Sequence, residues 1–153
     1  MSITVSFSGR CGFLTGNQRN QLRKFIKSIS AKEEIKNVEL TYVFLTDEEL
    51  LKINQRHLNH DYFTDIITFD LSDGDDFIVG ELYISKDRIR DHAKVYKTSE
   101  HEEFLRVFAH GFLHLLGYND KTEEETQRMR KEEERCLSLW EEINAVSRET
   151  ITI

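Results

Sequence analysis

The chain has 153 residues, 39% of them hydrophobic, with ten Phe, no Pro, two Cys and a formal net charge of −7. That length makes one domain of ordinary size, able to bury about 70% of its unfolded surface, and a second core is not needed. The absence of Pro excludes Pro-rich linkers and polyproline recognition. The distant pair Cys11 and Cys136 fits neither a Cys-x-x-Cys metal site nor a disulfide framework. No basic stretch followed by an apolar one opens the chain, and no run of 18 apolar residues occurs. The expectation is a cytoplasmic protein without a membrane partner.

Taken in order, Ile3 to Phe7 alternates as a strand, residues 17–30 carry helical periodicity, and Val38 to Leu45 alternates again. Thr46-Asp47-Glu48-Glu49 opens a helix reaching about Arg56, with Asp47 as its expected cap and acidic residues at the positive end of the dipole. Asp65 to Phe69 and Phe77 to Ile84 are expected strands, joined by a turn or short loop over residues 72–76. Helices are expected from about Lys86 to Tyr96, from Glu100 to Leu116, and from Lys121 to about Ala145. Four strands and five helices without repeats predict a single α+β domain over residues 1–153 with a small mixed sheet.

Charge is divided unevenly. Residues 1–40 hold seven Lys and Arg against three Glu, a balance of +4, so the remainder carries −7 − 4 = −11. On the first helix Arg19, Arg23 and Lys27 fall at i, i+4 and i+8, a stripe that can track a phosphate backbone or simply face solvent. The runs Glu123-Glu124-Glu125 and Glu132-Glu133-Glu134 read as solvated: the first suits a helix start, and the second alternates with Arg128, Lys131 and Arg135.

The segment that carries chemistry is 110–120, His-Gly-Phe-Leu-His-Leu-Leu-Gly-Tyr-Asn-Asp. His110 and His114 share one helix face, one turn apart, where a single ion can bridge them. Gly117 permits a left-handed turn that ends the helix and brings Asp120 back to that face. Two imidazoles and a carboxylate with a fourth position left for water make a catalytic rather than a structural zinc site. The surrounding residues, Phe104 to Leu116, are apolar nearly all round, so the metal site is expected on a buried central helix. A hydrogen-bonded histidine pair within the core is the alternative. The spacing also mimics the metzincin peptidases, but those place a Glu after the first His as general base, and here Gly111 stands there.

The run His110-Gly111-x-Leu113-His114-Leu115-Leu116-Gly117-Tyr118 resembles the signature of the YbeY family of bacterial metal-dependent endoribonucleases. Asn54 with Asp61, the stretch Thr64-Asp65-Ile66-Ile67-Thr68-Phe69, the stretch Gly80-Glu81-Leu82-Tyr83-Ile84-Ser85, and Met129 with Glu133 extend the likeness over roughly residues 38–140. Two positions depart from it. Asp120 replaces the family's third His, which adds a negative charge to the site, and Leu58 replaces an Arg expected to contact phosphate, with Arg56, His57 and His60 close by.

The resemblance implies a zinc-dependent, single-strand-specific endoribonuclease acting in ribosomal RNA maturation, at the 3′ end of 16S rRNA, and in ribosome quality control. One Zn2+ per chain would be bound by His110, His114 and Asp120 and would lower the pKa of a water, with Arg56 stabilising developing charge. Single-stranded RNA, ribosomal RNA and ribosomal subunits are the implied partners, and DNA is not. Asn54, Asp65 and Glu81 are expected to line the metal cleft, and Arg19, Arg23 and Lys27 to bind RNA. The alternatives are a metal-stabilised ribosome assembly factor with negligible turnover and a hydrolase of another substrate.

Overall fold

Thr15, Thr46 and Thr122 each stand three residues before a Gln or Glu, and each opens a helix through a capping box. In the structure, a computed structural model that describes residues 2–60, 62–146 and 149–153, each Thr hydroxyl accepts the backbone N–H three residues on. The Gln or Glu side chain there accepts the Thr N–H in return. Two donors are thereby paired at each helix start. Thr46, not Asp47, is the cap of its helix. Asp47 is left free to accept from Ser85 Oγ at 2.7 Å and to pair with Arg88, tying two helix starts together.

The helices are α1 (Gly16–Lys32), α2 (Asp47–His57), α3 (Lys86–Tyr96), α4 (Glu100–Leu115) and α5 (Glu123–Ile143). The strands are β1 (Ser2–Gly9), β2 (Asn37–Leu45), β3 (Ile66–Asp70) and β4 (Ile78–Ser85), arranged in one sheet of order β1-β2-β4-β3. β1 runs parallel to β2 and β2 parallel to β4, while β3 is antiparallel to β4, so the sheet is mixed as expected. β3 and β4 are joined by a short loop pinned by Ser72, whose hydroxyl accepts the Val79 N–H at 2.9 Å.

Alternation along the strands decides which face is buried. Val5, Val38, Leu40, Tyr42, Phe44, Leu82 and Ile84 are buried against one another and against the helices, whereas Ser2, Thr4, Ser6 and Glu39 on the opposite face are exposed. The Tyr42 ring stacks on Phe108 of α4 at 3.9 Å between centroids, and its hydroxyl donates to the Phe108 carbonyl at 2.9 Å. Phe25 of α1 meets Phe108 and Trp140 of α5. α4 is thus the central helix of the core.

Candidate metal centre

Most of α4 is buried, but Arg106, His110 and His114, four residues apart, form a half-exposed stripe along it. The helix is therefore not enclosed all round. The two imidazoles stand at the edge of the core, looking into a cavity of about 550 Å3 lined by Asn54, Leu58, His60, Tyr62, Asp65 and Asp120 among others. A neighbouring cavity of about 470 Å3 shares Asp65, His110 and Asp120 and adds Arg106, Arg130 and Glu133.

Gly117 does what its position in the sequence predicts. Its φ of +103° ends the helix, with the Gly117 and Tyr118 N–H groups donating to the His114 and Leu113 carbonyls at 3.1 Å each. The chain turns back, and Asp120 Oδ2 comes to rest 3.4 Å from His110 Nε2 and 3.4 Å from His114 Nε2. The two Nε2 atoms are 3.0 Å apart. Ligands on one face of a tetrahedral ion with bonds of about 2.0–2.1 Å lie about 3.3–3.4 Å from each other, so this donor set fits a zinc-sized ion once the two imidazoles part by a few tenths of an ångström.

Glu133 of α5 completes the arrangement. Its Oε2 lies 2.6 Å from His110 Nδ1, and the side chain is buried. A carboxylate accepts, so Nδ1 donates to Glu133 and Nε2 is the nitrogen turned toward the cavity, the orientation a metal needs. Burial opposes protonation of His110, but the Glu133 hydrogen bond and the negative charges of Glu133, Asp65 and Asp120 outweigh it and hold its pKa above the ordinary imidazole value. The local field favours positive charge. Glu133 was expected to be solvated with its neighbours, and that expectation fails because α5 packs on α4 through Met129 and Glu133, both buried. The Met129-x-x-x-Glu133 spacing was the signal that could have found it. Replacing Glu133 by Gln should weaken metal binding by about 10- to 100-fold with little change in fold, as read by competition with a chromophoric chelator. Unchanged affinity would make the contact incidental.

Gly111 explains why no base follows the first histidine. A Cβ there would lie 2.5 Å from Leu82 Cδ2 and 2.6 Å from Ile66 Cδ1, because this face of α4 presses on β3 and β4. A side chain at that position would have to displace Leu82 and Ile66, and the glycine found there leaves this helix without the metzincin-type general base.

The remaining expected residues divide. Asp65 lines both cavities and pairs with His92 Nδ1 at 3.3 Å. Asn54 is buried at the cavity wall and donates to the Tyr62 carbonyl at 2.8 Å, which fixes the loop after α2. Asp61, within that loop, lies outside the described residues. Glu81 is not brought to the cleft: Gly80 and Leu82 face α4, so by strand alternation Glu81 faces away from it. Arg56 is exposed and lines neither cavity, and His57 packs against Phe69 instead. Leu58 and His60 take the wall, while the guanidiniums beside the triad belong to Arg106 and Arg130. The basic stripe lies away from both cavities. Arg19 donates to the Cys11 carbonyl at 3.0 Å and Arg23 to the Val5 carbonyl at 3.0 Å, which leaves Lys27 as its exposed cation.

With this geometry, the comparisons with known proteins are decisive. A family model described as Endoribonuclease YbeY matches residues 12–141. The chain belongs to the YbeY family. Endoribonuclease YbeY of Cytophaga hutchinsonii is 46% identical over 122 residues, covering 80% of this chain and 85% of that protein. The Parabacteroides distasonis protein of the same name is 41% identical over 118 residues, 77% and 82% of the two chains. Among solved structures, the solution structure of TM1509 from Thermotoga maritima matches with a TM-score of 0.60 and 25% identity, over 91% of this chain and 93% of that one. YbeY membership, the α+β fold and a donor set fit for a metal therefore agree.

Proposed function

We propose that this YbeY-family chain is a zinc-dependent endoribonuclease that cuts single-stranded RNA and acts in the cytoplasm on ribosomal RNA, including the 3′ end of 16S rRNA, and in ribosome quality control. The observation that carries the reading is the His110, His114 and Asp120 donor set, within 3.0–3.4 Å of one another on the floor of an open cleft and oriented by Glu133. One ion per chain would be held there. When bound, a divalent ion supplies Lewis acidity, which polarises a phosphodiester and makes water a nucleophile at neutral pH.

The chain's own residues supply the rest. His110 is held in one tautomer by Glu133, and His114 is fixed one turn on by a helix whose other faces are buried, so the donors are organised before any ligand arrives. Arg106 and Arg130, at the adjoining cavity wall, are placed to offset phosphate charge there, a role that Arg56 is too far outside the cavities to fill. Asp65, Asp120, Glu133 and Glu134 make the cleft acidic and would repel RNA unless cations are bound. Lys27, with the outer edges of Arg19 and Arg23, would meet phosphates outside the cleft. No helix among the described residues is long and apolar enough to cross a membrane.

Labelled single-stranded and duplex RNA, incubated with chelator-treated and with zinc-reloaded protein, test the proposal. Cleavage of the single strand by the reloaded protein alone is expected. Tight binding without turnover would favour an assembly factor, and turnover of small phosphate esters but not RNA would favour another hydrolase.

A further inference from the structure

A second donor cluster opens onto the cavity that the first triad borders. Asp65, just before β3, His92 on α3 and Glu103 on α4 bring one ligand atom each within 4.8 Å of one another. Asp65 Oδ2 lies 3.3 Å from His92 Nδ1. Glu103 is only 5% exposed, yet among the described residues its carboxylate accepts no hydrogen bond. Its nearest cation is Arg106 Nε at 3.9 Å, and that guanidinium is already committed through Nη1 to Glu134 at 2.9 Å. Arg88, the other cation near Asp65, is bound to Asp47. Two carboxylates thus sit together, one desolvated, with no cation of the chain within hydrogen-bond reach of Glu103. Such a group is costly unless something positive pairs with it.

We propose that Asp65, His92 and Glu103 form a second site for an exchangeable divalent cation. One imidazole and two carboxylates make a donor set of hard to borderline character, suited to Mn2+, Mg2+ or Zn2+ and poorly suited to Cu(I). With one imidazole nitrogen fewer it is harder than the first triad, so zinc fills the first triad before it. Burial holds the Glu103 carboxyl above the usual carboxylate range, so a cation binds there in competition with a proton. Both clusters border one cavity, so a phosphate held there would face two ions; that last consequence rests on the RNA reading, whereas the cation site does not.

The test uses the full chain, stripped by chelator and loaded with one equivalent of zinc, and then titrated with MnCl2 while the Mn2+ electron paramagnetic resonance signal is followed. One further ion per chain should bind and lose its free-ion signal. His92→Ala and the isosteric Glu103→Gln should abolish that binding, with zinc content and circular dichroism unchanged. His110→Ala should lose zinc and still bind Mn2+. Absence of Mn2+ binding to the zinc-loaded parent, or binding that survives both His92→Ala and Glu103→Gln, overturns the proposal. Retention of zinc by His110→Ala overturns the first triad instead and leaves the second site standing.

Discussion

His110→Ala should strip the chain of tightly held metal and lower RNA hydrolysis by at least about a thousandfold, since Lewis-acid stabilisation is worth several kcal/mol and each ~1.4 kcal/mol is a factor of ten. Elemental analysis after dialysis reads the first effect and single-turnover cleavage the second. The sharper probe is Asp120, the residue at which this chain departs from the family's His. Asp120→Ala removes one of three donors held 3.4 Å from both imidazoles and should lose metal with them. Asp120→His should keep the metal while removing one negative charge from the site. The carboxylate neutralises part of the ion's charge, so its removal favours the deprotonated nucleophile. The alkaline-rising limb of the pH–rate profile should accordingly move to lower pH. If Asp120→Ala holds zinc as tightly as the parent chain, Asp120 is a turn residue only.

Phe108→Ala should destabilise the fold by about 3–5 kcal/mol, the range for truncating a fully buried aromatic ring. Phe108 is 0% exposed and meets Tyr42, Phe7, Phe25 and Phe104, so the void has walls on several sides and little means of collapse. For a chain of this length the midpoint should fall by about 6–20 °C, at about 2–4 °C per kcal/mol. Urea unfolding with an unchanged slope would measure it. A loss under about 1 kcal/mol would contradict α4 as the central core helix. The same variant bears on function, because the backbone of α4 carries both histidines, two and six residues on.

The local order of this protein was legible in its sequence. Alternation in Ile3–Phe7 and Val38–Leu45 and helical periodicity around Leu22-Phe25-Ile26-Ile29 are signals written within a few residues, and the four strands and five helices among the described residues follow them, although the cap expected at Asp47 falls to Thr46. The triad of His110, His114 and Asp120 was legible for the same reason: a helix turn sets the first two, and one left-handed glycine sets the third. What sequence could not settle was everything that depends on which faces meet. Glu81 sits one residue from the buried face of β4, and a period of two sends it away from the cleft. Arg56 is near Asn54 in sequence, but Asn54 turns inward at the cavity wall and Arg56 outward. Glu133, in a run of three acids, is singled out only because α5 lies on α4 and buries that one member against His110. Arg19 and Arg23 look like a free basic stripe until β1 and the loop after it supply carbonyls for them. Local backbone geometry acts over three or four residues and can be read along the chain; orientation between elements is set by packing of the whole core, and that exists only in three dimensions.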